Sequence, residues 1–255
     1  MRVGRIAWDG SAHWAILSGD TARLLTDAPW MGGIATGVVA ASPRLLAPVT
    51  PSKIVAVGSN YPKHAEEMGK PVPQVPRLFL KPPSAVIGPD VAIEIPPGTE
   101  RVDPEGELAC VIGATLSRAT EAECLDAVFG YTCLNDVTCR DFQRADGLFT
   151  RAKGFDTFCP IGPWIETELS PDDLSVATEV SGTPRAAGRT SDMVFSTGRL
   201  LAFISSVMTL NPGDVVTTGT PPGVAPIHHG DEVHVVIEGI GTLTNPVVNR
   251  SDRAL

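Results

Sequence analysis

Proline and glycine leave this chain no room for long regular elements. Its 255 residues include 23 prolines and 25 glycines. From Lys53 onward they break the sequence into short β-type runs. Proline cannot donate to a strand ladder and glycine weakens a strand interior, so the strands must be short and the loops many and ordered. Loops on a rigid scaffold are where binding and catalytic groups concentrate. The best strand candidates are Ile54–Val57, Leu78–Leu80, Leu108–Ile112, Ser175–Val180, Val215–Thr218, Val233–Ile237 and Thr242–Leu243.

Helical signals are few. Thr120-Glu121-Ala122-Glu123 has the capping-box pattern, and Leu125, Val128 and Phe129 follow as an apolar face that Gly130 is expected to stop. Ser196 caps a second helix, with Leu200, Leu201, Ile204, Val207 and Met208 at helical spacing and Asn211-Pro212-Gly213 closing it. The first fifty residues read as a small β appendage: Arg2–Trp8, a turn at Asp9-Gly10-Ser11, then His13–Leu17 and Ala22–Leu25. Residues 26–53 show little periodicity and read as a connector. The expected division is 1–50 for the appendage and 51–255 for the main body.

Several function classes drop out. A formal charge of −9 without a basic stripe argues against a nucleic-acid partner. No stretch approaches the roughly 18–20 apolar residues of a membrane span. Residues 1–9 carry charge where a signal peptide needs its apolar segment, so a cytoplasmic location is expected. The five cysteines (Cys110, Cys124, Cys133, Cys139 and Cys159) are odd in number and lack C-x-x-C spacing. They read as free, mostly buried thiols.

Chemistry concentrates around three carboxylates. Glu105 and Glu107 lie in Asp103-Pro104-Glu105-Gly106-Glu107-Leu108; on a strand, alternation puts both on one face, roughly 6–7 Å apart. Such a pair repels itself unless a cation sits between its members. Asp136, after a helical segment, supplies a third carboxylate. Three oxygen ligands with open positions suit Mg²⁺ or Mn²⁺, and Ca²⁺ takes the same donors. In Asn60-Tyr61-Pro62-Lys63-His64-Ala65-Glu66-Glu67, one or two helical turns over 62–69 put His64 and Glu67 on one face. A carboxylate on one imidazole nitrogen raises the basicity of the other, which suits water activation. Lys153, in Arg151-Ala152-Lys153-Gly154, offers a charge to offset the acidic group. His228-His229 reads as an exposed turn rather than a second metal site.

In order along the chain, Lys53–Glu67, Leu78–Gly88, Val102–Gly113, Gly130–Gln143, Arg151–Pro163, Thr190–Ser196 and Met208–Val224 resemble the fumarylacetoacetate hydrolase family. The likeness is to short bacterial members akin to acylpyruvases and 2-hydroxyhepta-2,4-diene-1,7-dioate isomerases. It implies an α+β fold, a mixed β-sheet roll of the family's C-terminal type, and a homodimer. It implies metal ligands Glu105, Glu107 and Asp136, a water-activating dyad of His64 and Glu67 on a lid segment, and Lys153 beside the metal. Ser59, Tyr61, Gln143 and Thr220 fall at substrate-contact positions. The implied reaction is metal-dependent hydrolysis of a C–C bond in a 1,3-dioxo acid of the acylpyruvate or fumarylacetoacetate kind, through an enolate. Isomerisation or decarboxylation of 2-hydroxy-dienoates or oxaloacetate-like acids in aromatic catabolism is the alternative. A non-catalytic binding protein on this fold is a minor one, disfavoured because ligands, dyad and lysine are all retained. One departure stands out: many acylpyruvases have arginine where this chain has Ser59, and serine cannot replace that charge.

Overall fold

The computed structural model describes residues 1–251. Strands dominate, as the expected fold class requires. The first are β1 (Arg2–Trp8), β2 (Ser11–Ser18), β3 (Thr21–Leu25), β4 (Ala35–Ala41) and β5 (Arg44–Leu46). After β6 (Ile54–Gly58) come helix α1 (Pro62–Glu67) and strands β7 (Arg77–Lys81), β8 (Val86–Ile87), β9 (Ile93–Ile95), β10 (Val102–Asp103) and β11 (Gly106–Ile112). Helix α2 (Glu121–Asp126) leads into β12 (Val128–Asn135) and β13 (Thr138–Cys139), followed by α3 (Arg140–Asp146) and α4 (Thr150–Lys153). The remainder is β14 (Cys159–Glu166), β15 (Ser175–Val180), β16 (Thr183–Arg189), α5 (Thr197–Val207), β17 (Val215–Thr217), β18 (Glu232–Ile237) and β19 (Gly241–Asn249).

A 12-stranded sheet runs in the order β4-β3-β2-β1-β14-β12-β11-β17-β6-β7, with β5 and β8 pairing from the side. A 5-stranded sheet, β16-β15-β18-β19-β9, packs across β11, β12 and β14. Every residue of β11 is buried. Its alternate side chains feed two cores. Leu108, Cys110 and Ile112 meet Val176, Val235 and Leu243 of the second sheet and Leu201 and Ile204 of α5. Ala109 and Val111 join Ile54, Leu134, Ile161 and Val215 on the other face. Glu105 and Glu107 share the parity of Ala109 and Val111, so the acidic pair opens from the face away from the second sheet. Gly106 points the opposite way. A Cβ there would lie 2.3 Å from Thr178 Oγ1, so close approach of β15 requires glycine between the two glutamates.

Three sequence expectations need correction. Residues 26–53 are not a plain connector, because they contain β4 and β5. β4 pairs only with β3 and is mostly exposed, so it carries no alternating signature. The capped helix is real, with Thr120 and Glu123 forming the reciprocal cap, but it ends at Asp126. Val128 and Phe129 open β12, because pairing with β11 and β14 outweighs their helical spacing. Gly130 lies inside that strand, opposite Val111. Strand β14 was not legible because Pro160 and Pro163 argue against a central strand; a register irregularity opposite Tyr131–Cys133 accommodates them.

The N-terminal strands continue the main sheet, with β1 pairing antiparallel to β14 at Arg2–Glu166 and Val3–Ile165. All five cysteines are free and buried. His228 and His229 lie in the exposed turn before β18. No helix among the described residues is long and apolar enough to cross a membrane.

Candidate metal centre

The three carboxylates converge at the open end of the β11–β12 pair. Register sets Gly106 opposite Asn135. The Asp136 amide donates to the Glu105 carbonyl (2.8 Å), and the Glu105 amide donates to Asn135 Oδ1 (2.9 Å). Glu105, Glu107 and Asp136 each present an oxygen within 4.8 Å of the others, all buried, and they are the one such cluster among the described residues.

A shell of cations surrounds them. Lys153 Nζ donates to Glu105 Oε2 (2.7 Å), to Asp136 Oδ2 and to Thr138 Oγ1 (2.7 Å). Lys81 Nζ lies 2.7 Å from Asp136 Oδ1 and donates to the Lys153 carbonyl (2.6 Å). Arg140 donates to Glu105 Oε1 and to Asp103 Oδ2 (2.7 Å), and Arg101 clamps the same Asp103. Burial would raise the Glu105 carboxyl, but Lys153, Arg140 and His64 outweigh it and hold it well below the usual range. Lys153 is likewise held charged: burial opposes its charge, and Asp136 and Glu105 more than restore it.

Glu107 is the exception. It accepts from Thr217 Oγ1 and from the Gly219 amide (2.7 Å), and among the described residues no cation lies within ion-pairing distance of it. Burial, reinforced by Asp136 and Glu105, pushes its carboxyl up to about 8. Asp136 Oδ1 is also incompletely used: Lys81 is near it, but off the direction of a hydrogen bond. A buried carboxylate without a counter-charge beside an oxygen with a spare lone pair is the environment a hard divalent cation would complete. The donor set fits Mg²⁺ or Mn²⁺.

His64 stands over this group. Its Nδ1 is 3.1 Å from Glu67 Oε2 and its Nε2 is 3.9 Å from Glu105 Oε1. The Gly223 amide donates to Glu67 and fixes the carboxylate from behind. The helix carrying the pair, α1, is tied down by buried Asn60. Asn60 donates through Nδ2 to the carbonyls of Phe195 (3.1 Å) and Thr218 (2.8 Å), and its Oδ1 accepts from the Phe195 amide (2.9 Å).

One pocket contains the triad, His64 and Lys153, and Ser59, Gln143 and Thr220 also line it. Ser59 holds φ +60, in the left-handed region that β-carbon-bearing residues seldom adopt. Gln143 accepts from Arg140 Nη1 (3.0 Å). Tyr61 departs from the substrate-contact expectation: its ring is buried and absent from the pocket wall, and its hydroxyl has no partner. Its ring packs beside Gly188, where a Cβ would lie 3.5 Å from Tyr61 Cε1.

Residues 53–248 match the fumarylacetoacetate (FAA) hydrolase C-terminal family. The chain belongs to the fumarylacetoacetate hydrolase family. Residues 1–48 match a second description, Rv2993c-like, N-terminal. Protein Rv2993c of Mycobacterium tuberculosis is 47% identical over 262 residues, covering 98% of this chain and 99% of that protein. A 5-carboxymethyl-2-hydroxymuconate delta-isomerase from Mycobacterium smegmatis superposes with a TM-score of 0.93 at 46% identity, over 98% of this chain and 100% of that one. Maleylpyruvate hydrolase from Sphingobium sp. SYK-6, solved with manganese(II) and pyruvate, gives 0.81 at 30% identity over 98% and 100%. The mixed sheets with few helices are thus the fold of this hydrolase family, extended by an N-terminal segment.

Sequence reasoning missed Lys81, Arg140 and Asp103. Lys81 ends a strand whose alternate residues Phe79 and Lys81 face the site, and that alternation was an available signal; Arg140 opens α3 just after β13, and no periodicity links it to Asp136.

Glu107 makes a pH prediction for the ion-free protein. Its folded carboxyl sits near 8 against 4.5 ordinarily, so the folded state holds that proton more tightly than the unfolded one. The resulting stability is present below the ordinary value and is lost as pH rises through 8. The melting temperature of chelator-treated protein will therefore fall between pH 5 and 8. Glu107→Gln will flatten the decline, and saturating Mn²⁺ will suppress it. A scanning-calorimetry series checks all three.

Proposed function

We propose that the protein is a divalent-metal-dependent enzyme that hydrolyses a C–C bond in 1,3-dioxo acids of the acylpyruvate or fumarylacetoacetate kind. The observation that carries this reading is the orientation of His64: Nδ1 engaged by Glu67, Nε2 turned to the carboxylate triad. Such an imidazole carries its proton on Nδ1 and leaves Nε2 free to accept one.

Glu105, Glu107 and Asp136 would hold the ion. When bound, it would supply Lewis-acid polarisation of a chelating 2-oxo acid. His64 Nε2 takes a proton from water, and Glu67 stabilises the imidazolium that results. The hydroxide adds to the distal carbonyl and the adjacent C–C bond breaks. Its electron pair remains on the methylene carbon of the departing oxo-acid fragment (pyruvate from an acylpyruvate, acetoacetate from fumarylacetoacetate), which is then protonated. The other fragment leaves as a carboxylate. Lys153 and Arg140 keep positive charge beside the developing enolate oxygen.

The surrounding charge suits an anionic substrate. Arg101, Arg140, Lys81 and Lys153 already balance Asp103, Glu105, Glu107 and Asp136 when all are ionised. A divalent cation would make the group net positive by two, ready for a 2-oxo acid carboxylate.

A second reading is isomerisation of a 2-hydroxy-dienoate, in which His64 moves a proton between carbons instead of activating water. The likeness to the mycobacterial delta-isomerase favours it. Ultraviolet assays with Mg²⁺ or Mn²⁺ over acylpyruvates, oxaloacetate and 2-hydroxy-dienoates separate the two. Loss of 1,3-dioxo acid absorbance with release of pyruvate is the expected result. Turnover of dienoates alone would replace hydrolysis with isomerisation.

A further inference from the structure

The cations that crowd the triad, Lys81, Lys153 and Arg140, each meet a carboxylate. Lys70 lines the same pocket and meets none. Among the described residues, no carboxylate is within ion-pairing distance of it and no side-chain hydrogen bond uses its ammonium. Burial disfavours its charge, and Arg77, Arg140 and Lys153 add repulsion that Glu105 only partly offsets.

Local structure determines where Lys70 stands. Helix α1 ends in a Schellman motif: Gly69, at φ +63, donates to the Glu66 carbonyl (2.9 Å), and the Lys70 amide donates to the Ala65 carbonyl (2.8 Å). The position after that glycine usually contributes an apolar contact back to the helix. Here that position carries a lysine that lines the pocket instead. Lys70 is half-buried, whereas the triad is buried, so it stands nearer the mouth. Met68, Phe79 and Phe149 supply the apolar part of the same wall. The enclosed part of the cavity measures about 30 Å³, room for a water, so the far end of a longer ligand lies toward the open mouth.

A ligand entering this pocket would thus meet a cation-rich acidic centre at its inner end, the Phe79 and Phe149 rings beside Lys153, and one uncompensated positive charge near the mouth. Ser59, on another part of the wall, brings no charge. We propose that Lys70 receives the far carboxylate of the substrate, so that the site selects 2-oxo acids bearing a second carboxylate over those with a neutral tail. This rests on the metal-enzyme reading above and names the substrate class within it.

Two acids of equal length test it: 2-oxoadipate, with a carboxylate at C6, and 2-oxohexanoate, with a methyl there. Their dissociation constants are measured by calorimetry on Mn²⁺-loaded protein for the wild type, K70Q and K70R, with oxalate as a tail-free reference. The wild type will bind 2-oxoadipate about tenfold more tightly than 2-oxohexanoate or better, the value of one charge-assisted hydrogen bond. K70Q will erase that preference and leave oxalate binding unchanged, and K70R will keep most of it. Equal affinity of the wild type for both acids, or a preference that survives K70Q, overturns the assignment while leaving the metal-enzyme reading intact. If neither acid nor oxalate binds the loaded protein, the metal-enzyme reading fails and the assignment falls with it.

Discussion

The His64→Asn protein will bind Mn²⁺ as the wild type does, yet turn over a 1,3-dioxo acid roughly 10²–10⁴-fold more slowly, the usual contribution of a positioned general base. Asparagine keeps a polar group near Glu67 but offers no nitrogen that accepts a proton at neutral pH. The loss should fall on kcat, because His64 touches the triad only at the 3.9 Å of Nε2 to Glu105 and is not needed to hold the ion. Glu67→Gln will show a smaller loss in the same direction, since the imidazole remains but loses the carboxylate that supports its charged form. Steady-state rates with calorimetric Mn²⁺ titrations give both quantities. A His64→Asn enzyme that retains wild-type kcat would move water activation to another group.

The second large effect is structural. Asp214→Ala is expected to destabilise the fold by about 3–5 kcal/mol, the cost of removing one partner from a buried ion pair. Asp214 is fully buried and accepts from the Ser52 hydroxyl (2.6 Å), the Lys53 amide (3.2 Å), the Lys53 ammonium and the Asn211 amide (2.7 Å). Those contacts tie the entry of β6 to the entry of β17, where Ile54 and Val55 pair in parallel with Val215 and Val216. For a domain of this size the melting temperature should drop by roughly 6–20 °C. Because Asp214 lies outside the pocket wall, the variant that remains folded should bind Mn²⁺ normally. A melt within a degree or two of wild type would show that the junction is held by packing alone.

Legibility differed between the site and the scaffold for physical reasons. Glu105 and Glu107 share a face as strand alternation has it, and His64 and Glu67 meet as three-residue helical spacing has it; Asp136 and Lys153 follow no such period and stood out only through the ordered resemblance of motifs. Lys81 and Arg140 were harder. Each is one charged residue in an ordinary setting until the fold brings Asp136 beside the first and Glu105 beside the second. Tyr61 was misplaced because its ring packs beside Gly188, which lies far along the chain. Among the scaffold elements, β12 and β14 carry proline, glycine or helical spacing that local propensity reads against a strand. Hydrogen bonds from both neighbours decide their state. The exposed edge strand β4 left no pattern because one paired side and one wet face impose no alternation.

The pairing of β6 with β17 also orders the site in time as the chain is made. Glu105 and Asn135 meet across only 30 residues, the kind of local contact that speeds folding, whereas Glu107 waits for Thr217 and Gly219. The anchor of β6 closes across 161 residues, from Lys53 to Asp214, and Asn60 waits for Phe195 and Thr218. A ribosome-bound chain that has emerged through α4 can therefore bring Glu105 and Asp136 to Lys81 and Lys153, while Glu107, His64 and Glu67 still lack their later partners. Glu107 and the dyad are seated last, so a nascent chain can gather two of its three carboxylates well before the centre is complete.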